Sequence, residues 1–253
     1  MILMDNNILS LTRKLESTGF QYAFYYHRRP AEPICIVNCE IFPAASLIKV
    51  PILFAWLALE NEGLLDRGKL CCLDSLDNVQ GAGFSGLFSQ RQIPFADALL
   101  LMIAISDNQC ANLVIQHIGM ARLNQIFKIN LGLQDTIIQR YMMDFASQRN
   151  GMENFISTRD CIQLFKIYRG LSETDRKWVD ELLSASQDTS FFLRNIQRDT
   201  LTFFHKSANL PGVFHDWGFT KNCQLFLLTQ HVEDEDRVNS MFGDIGTLLL
   251  HDE

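Results

Sequence analysis

The segment Phe42-Pro43-Ala44-Ala45-Ser46-Leu47-Ile48-Lys49 marks the point where a strand-like pattern gives way to a helical one. Aromatic and β-branched residues bounded by prolines precede it, and an apolar run over residues 50–59 follows it. A helix that begins here places Ser46 and Lys49 one turn apart on the same face. Because a serine hydroxyl attacks a carbonyl only when a base takes its proton, this pair is a candidate nucleophile and base.

Two further short motifs follow in order along the chain. Ser106-Asp107-Asn108 comes directly after the apolar run 100–105, and Lys206-Ser207 lies in the last fifth of the sequence. By chance a Ser-x-x-Lys is expected about once in a chain of this length, and a given tripeptide in only about one chain in thirty. The ordered set is therefore more informative than any of its members.

Together these motifs resemble the active-site set of penicillin-recognising serine enzymes, which include class A β-lactamases and D,D-peptidases. The resemblance extends from about the first predicted strand to the last predicted helix. It implies that Ser46 is acylated, that Lys49 is the base, and that Ser106 relays a proton to the leaving group. Lys206 is the second cation, whose charge would lower the pKa of Lys49 toward neutrality.

The same resemblance implies which residues bind the substrate. Asn108 is assigned to Lys49 or to the substrate amide, and Ser207 to a substrate carboxylate. The backbone N–H of Asn209 would form an oxyanion hole together with that of the nucleophile. Ala208 stands where the family has glycine, so its methyl group would narrow the groove.

The main departures from the family pattern lie in its omega loop, which spans residues 140–158 on a gap-free alignment. Met142 replaces the deacylation glutamate, Ala146 replaces the water-holding asparagine, and Phe155 replaces the usual salt-bridge aspartate. A thioether cannot activate water, so weak β-lactam hydrolysis is expected. Asp144 is the nearest carboxylate and a candidate substitute base.

Each candidate residue also has a structural interpretation. Ser-Asp-Asn is good helix-capping chemistry, and Lys49 could extend its ammonium to solvent. Asp144 could be a surface carboxylate or the ion-pair partner of Arg140. His205 is expected to be a packed strand residue rather than a base.

Composition and periodicity indicate a single α+β domain, since the chain has 253 residues of which 47% are hydrophobic. The resemblance implies a five-stranded antiparallel sheet flanked by terminal helices, with an inserted all-helical lobe. We expect residues 1–45 and 190–253 to form the sheet lobe and residues 46–189 the helical lobe. Strands are predicted at 21–26, 33–40, 201–207, 213–220 and 224–231, and helices at 1–20, 46–60, 95–105, 109–117, 121–127, 158–169, 173–184 and 234–249, with a loop at 140–153.

The remaining features argue against several classes of partner. A net charge of -7 without a basic cluster gives no support to nucleic-acid binding. No apolar run approaches the roughly 18 residues of a membrane span. The six histidines are scattered without a His-Glu-x-x-His motif, so no metal is expected, and the adjacent Cys71-Cys72 is the alternative left open. No cofactor is expected either.

Cysteine usage predicts the compartment. The seven cysteines are an odd number without Cys-x-x-Cys spacing, which indicates free, mostly buried thiols in a reducing environment. No signal-peptide pattern is visible at the N-terminus. A cytoplasmic location is expected, or a periplasmic one if a leader has been removed.

The predicted function is that of a serine hydrolase acting on a small acyl substrate, an ester, amide, peptide or β-lactam. One alternative is a ligand-binding pseudoenzyme that keeps Ser46 and Lys49 without useful turnover. Another is a D,D-peptidase. The natural substrate and the oligomeric state have no signature in the sequence.

Overall fold

The central element of the computed structural model, which describes residues 6–251, is a five-stranded antiparallel sheet. The spatial order of its strands is β2-β1-β9-β8-β7. Strands β1 and β2 come early in the chain, whereas β7, β8 and β9 come near its end. Two smaller two-stranded sheets pair β3 with β6 and β4 with β5. The strands are β1 (Gln21–Arg28), β2 (Ile34–Val37), β3 (Ile41–Pro43), β4 (Leu70–Cys72), β5 (Gln92–Pro94), β6 (Phe155–Ser157), β7 (Phe204–Leu210), β8 (Val213–Phe219) and β9 (Cys223–Gln230).

Helices fill most of the chain between the two groups of sheet strands and also lie at both ends. Three short 3₁₀ segments, Ala45–Ile48, Ser85–Leu87 and Thr247–His251, accompany them. The α-helices are α1 (Asn6–Glu16), α2 (Lys49–Asn61), α3 (Phe95–Ala104), α4 (Asn108–Ile118), α5 (Met120–Ile129), α6 (Phe145–Arg149), α7 (Thr158–Gly170), α8 (Glu173–Ser184) and α9 (Glu235–Gly246).

The sheet separates two hydrophobic clusters because side chains alternate along each strand. On β1, Phe24 packs in a cluster with residues of α1 and α9, such as Leu15 and Phe242. Its neighbours Ala23 and Tyr25 face the opposite side and join the cluster formed by the helices. Covering both faces explains why every residue of β8 is buried.

Helix α2 is the core helix of the larger cluster. Ten of its residues, from Lys49 to Leu59, are buried, and apolar side chains surround its axis. A helix that is hydrophobic all round must lie inside the protein. Its N-terminal end is therefore held rigidly, and this end carries the Ser-x-x-Lys motif.

The predicted α+β class, the five-stranded antiparallel sheet and the flanking terminal helices are confirmed. The inserted region is not all-helical, because β4 pairs with β5 within it and β6 also lies there. The predicted loop 140–153 contains the short helix α6. Strands of three residues are too short to show an alternating pattern. The predicted strand at 201–207 begins only at Phe204. The lobe boundaries at 45/46 and 189/190 stay a prediction.

Other boundaries differ from the predictions by small amounts. The expected helix over 1–20 is observed as α1, with residues 1–5 outside the described range. The helix predicted from residue 46 begins with a 3₁₀ turn, because α2 starts at Lys49. Helix ends commonly tighten into such turns.

No helix within residues 6–251 has the length and hydrophobicity needed to cross a membrane.

The seven cysteines lie in varied environments. Cys71, Cys110, Cys161 and Cys223 are buried, whereas Cys35 is exposed.

Phe165 of α7 ties the helices to the sheet, since its ring stacks on Trp217 with centroids 4.5 Å apart and lies 5.8 Å from Tyr25. Phe165→Ala should lower the free energy of unfolding by about 3–5 kcal/mol, because it leaves a cavity among aromatic rings. Urea denaturation measures this loss. Ile129→Ala is the control: its side chain is 69% exposed, and a change of about 0.5 kcal/mol or less is expected. Equal losses in the two variants would contradict this role.

Candidate active site

Ser46 lies in the 3₁₀ turn that leads into α2, at the wall of a cleft of about 680 Å³. The residue before it, Ala45, has a positive φ of 47°. Non-glycine residues rarely adopt this conformation, and they persist where surrounding structure holds them. Here the Ala44 N–H donates to the Asn154 carbonyl at 2.7 Å, which fixes the approach to the turn.

The amine of Lys49 is the centre of a hydrogen-bond network that joins the first two motifs. Its Nζ lies 3.2 Å from Ser46 Oγ, 2.9 Å from Ser106 Oγ and 2.9 Å from Asn108 Oδ1. It also donates to the Ser106 carbonyl at 2.7 Å. The side chain is fully buried, which excludes the alternative of a solvent-exposed ammonium.

The surroundings of Lys49 favour a neutral amine. Burial lowers its pKa well below that of an ordinary lysine, and the charge of Lys206 lowers it further. The Asp107 carboxylate acts in the opposite direction and raises the pKa in part. A neutral Nζ beside Ser46 Oγ has a lone pair that can accept the hydroxyl proton.

In the second motif, one residue caps a helix and another lines the cleft. Asp107, not Ser106, caps α4, because its carboxylate accepts the Cys110 N–H at 2.9 Å. The same carboxylate accepts both the N–H and the hydroxyl of Ser85 at 2.8 Å. Ser106 has a positive φ of 58°, which turns the chain so that its Oγ meets Lys49 and the residue lines the cleft. The capping interpretation therefore holds for Asp107 alone.

Gly83 explains how the preceding loop approaches this motif so closely. A methyl group at this position would overlap the backbone and carboxylate of Asp107, and its φ is 91°. Only glycine tolerates both conditions.

Strand β7 supplies the third motif. Lys206 is buried, and its Nζ donates to the Ser207 carbonyl at 2.7 Å. Burial lowers the pKa of Lys206 to about 8, although Asp188 and Asp216 act to raise it. Ala208 and Asn209 follow along the wall of the cleft.

Asp188 is a cleft residue that sequence reasoning missed. Its Oδ2 accepts the Ser207 hydroxyl at 2.5 Å. Asp188 lies between α8 and β7, where no periodic pattern or motif marks a functional residue. Only the folded chain brings it to Ser207.

The cleft gathers most of the predicted site. Lys49 lies behind Ser46 rather than in the lining, and Asp144 is also outside it. The lining includes Ser46, Ser106, Asn108, Lys206, Ser207 and Asn209.

The loop that begins at Arg140 places Met142 in the cleft wall. The Met142 N–H donates to Asn112 Oδ1 at 2.7 Å, and its carbonyl accepts from Asn112 Nδ2 at 3.1 Å. Arg140 is buried and pairs with Glu153 at 2.9 Å. Glu153 thus provides the loop's ion pair two residues before Phe155, a partner that the gap-free alignment did not identify.

Asp144 caps the short helix α6. Its carboxylate accepts the Ser147 N–H at 2.9 Å and the Ser147 hydroxyl at 2.6 Å. These hydrogen bonds lower the pKa of Asp144. Asp144 therefore has a structural role in the cap of α6, is not ion-paired with Arg140 and does not line the cleft. Its role as a base stays a prediction.

His205 is packed within the strand, as expected. Its Nδ1 lies 2.9 Å from Asp216 Oδ1, and its ring stacks on Phe203 with centroids 4.8 Å apart. It is buried and does not line the cleft.

Comparison with known proteins agrees with this architecture. The model of the beta-lactamase enzyme family matches residues 10–252. A β-lactamase from Sphaerobacter thermophilus DSM 20745 has 21% identity and a TM-score of 0.84, covering 98% of this chain and 97% of that chain. PBP-A has 22% identity and a TM-score of 0.84, and the match covers 98% of this chain and 96% of PBP-A. An ancestral class A β-lactamase has 16% identity and a TM-score of 0.84, and the match covers 98% of this chain and 100% of that chain.

These structural likenesses are all below 25% identity, and they show the fold. No curated protein matches the chain by sequence. The family match spans almost the whole chain, and it includes each of the three motifs. The chain therefore belongs to the beta-lactamase enzyme family and is a serine hydrolase with the β-lactamase fold.

Proposed function

We propose that this protein is a serine acyl hydrolase that forms an acyl-enzyme on Ser46, with Lys49 as the general base. The observation that carries the proposal is the 3.2 Å contact between Lys49 Nζ and Ser46 Oγ, made by a fully buried lysine. That distance is at the limit of direct proton transfer in a resting site, and such contacts tighten when substrate binds. The substrate class is a small ester, amide or β-lactam.

In the acylation step, neutral Lys49 accepts the proton of the Ser46 hydroxyl as Oγ bonds to the substrate carbonyl carbon. The oxyanion that forms is stabilised by the backbone N–H groups of Ser46 and Asn209. The bond to the leaving group then breaks. Ser106, whose Oγ lies 2.9 Å from Lys49 Nζ, donates its proton to the leaving group and recovers one from Lys49.

Substrate binding is assigned to the two walls of the cleft. Asn108 on one wall has an amide that can bind the acyl side of the substrate. Ser207 and Asn209 on the other wall belong to β7, whose edge can run alongside an extended substrate. Lys206 of the same strand is a buried cation that also lines the cleft.

Deacylation needs a group that activates water, and the cleft wall offers none at the expected position. Met142 lines the cleft there, and its thioether is not a base at neutral pH. Asp144 is held by Ser147 in the cap of α6. A mutant of PBP-A, which has this fold, was solved as an acyl-enzyme complex with penicillin G, and we expect the acyl-enzyme to accumulate in this protein as well.

Labelling with a fluorophosphonate or an activated ester should add one group per protein molecule, on the peptide that contains Ser46. Intact mass and peptide mass spectrometry measure the adduct. Ser46→Ala should abolish it, while Ser89→Ala, at an exposed serine outside the cleft lining, should leave it unchanged. An adduct that survives in Ser46→Ala would identify another nucleophile. Binding without any adduct would favour the pseudoenzyme alternative.

Lys49 should titrate well below the ordinary lysine value of about 10.4. NMR of lysine labelled at the ε-carbon measures this pKa, with the signal assigned by its loss in Lys49→Met. Lys206→Gln should raise the pKa of Lys49, because it removes the repulsion of a second cation. The pH profile of Ser46 acylation should move up with it. Lys221→Gln, at an exposed lysine, is the control. A Lys49 that stays charged to about pH 10 would rule out this base.

At saturating concentration, an activated β-lactam should give a burst of one product per protein molecule and then slow turnover. Without a general base, the rate of deacylation should be lower by a factor of about 10² to 10⁴. Rapid-mixing absorbance measures the burst, and intact mass measures the accumulated acyl-enzyme. Fast linear turnover without an adduct would contradict the expectation, and loss of that turnover in Asp144→Asn would then identify Asp144 as the base.

A further inference from the structure

We propose that Asp188 sets the charge preference of the cleft, so that the substrate group lying against Ser207 is neutral or cationic and not a carboxylate. This inference rests on the proposed function, since it concerns the same cleft. The observation behind it is the 2.5 Å hydrogen bond from the Ser207 hydroxyl to Asp188 Oδ2, between two residues that both line the cleft.

The hydrogen bond decides what Ser207 offers to a ligand. A serine hydroxyl has one proton to donate and otherwise only lone pairs. Because that proton is directed at Asp188, the Ser207 oxygen faces the cleft as an acceptor. A carboxylate is also an acceptor, so it could bind Ser207 only by displacing Asp188. An amide N–H or an ammonium group can donate to either oxygen without breaking the bond.

The ionisation of Asp188 strengthens this preference. Burial by itself would raise the pKa of Asp188, but hydrogen bonds from Ser207 and Ser190 and the charge of Lys206 lower it. Asp188 is therefore an anion at neutral pH. A substrate carboxylate placed beside Ser207 would meet a like charge at close range, which is unfavourable.

Both cationic residues that line the cleft, Lys206 and Arg140, interact with carboxylates. Lys206 interacts with the Asp188 charge, which raises the pKa of the lysine against the effect of burial. Arg140 donates from Nε and from a terminal nitrogen to the two carboxylate oxygens of Glu153. Among the cleft-lining residues no further lysine, arginine or histidine occurs. Each of these two cations therefore has an acidic neighbour, and Asp188 adds a negative charge at the Ser207 side of the cleft.

The test uses aryl esters of N-phenylacetylglycine whose leaving phenol carries a meta carboxylate, carboxamide or aminomethyl group. The rate constant for Ser46 acylation is measured in single turnover from phenol release. In the wild type, the carboxamide and aminomethyl esters should react roughly tenfold or more faster than the carboxylate ester. Asp188→Asn should raise the rate with the carboxylate ester by roughly tenfold or more and remove most of the difference.

Two controls accompany this comparison. Asp77→Asn removes a negative charge at an exposed residue outside the cleft lining and should leave the rate ratio unchanged. Circular dichroism and thermal melting check that Asp188→Asn is folded. If Asp188→Asn is unstable, Asp188→Ala, which removes the same charge, is used in its place.

An unchanged ratio of rates in Asp188→Asn, with Ser46 still labelled by a fluorophosphonate, would overturn the charge preference and leave the proposed function intact. If neither the esters nor the fluorophosphonate label Ser46, the proposed function fails instead. In that case calorimetry with the same esters as non-covalent ligands tests Asp188 directly. Equal affinities for the carboxylate and carboxamide esters, or no binding to either, would overturn the inference.

Discussion

The burial of the Lys49 amine is the constraint on which the site depends. An amine without water needs partners at fixed positions, and Ser46, Ser106 and Asn108 provide them within hydrogen-bond distance. Two segments distant in sequence must therefore meet at the N-terminal end of α2 (Lys49–Asn61). The same burial lowers the pKa of the amine, so the feature that costs folding free energy also favours the neutral form that the proposed base needs.

The rest of the fold holds these segments in register. Helix α2 is surrounded by apolar side chains and cannot shift without exposing them. Asp107 fixes the second motif by capping α4 (Asn108–Ile118) and binding Ser85 of the neighbouring loop. Strand β7 (Phe204–Leu210) brings Lys206 to the opposite wall as part of the antiparallel sheet. The positive φ angles of Ala45 and Ser106 lie at the two places where the chain turns into the cleft.

The cleft combines an acylation apparatus with two unusual walls. Met142, which the gap-free alignment predicts to replace a water-activating carboxylate, lines the cleft, and the Asn112 side chain holds the Met142 backbone in place. Glu153 forms an ion pair with Arg140, and the charge of Asp188 acts on Lys206 and raises its pKa. These features favour an enzyme that acylates readily, deacylates slowly and takes substrates without a carboxylate at Ser207.

The sequence by itself determined the candidate catalytic residues and most of the element order. Helical spacing pointed to the Ser46–Lys49 pair, and the likeness of the ordered motifs to those of a known family pointed to Ser106, Asn108 and Lys206. The short strands β3 (Ile41–Pro43) and β6 (Phe155–Ser157), the Arg140–Glu153 pair and the bond between Asp188 and Ser207 came only from the tertiary structure. Each joins residues far apart in the chain, or acts over too few residues to produce a period. Pairing of this kind follows from how the sheet and helices pack, and no local pattern encodes it.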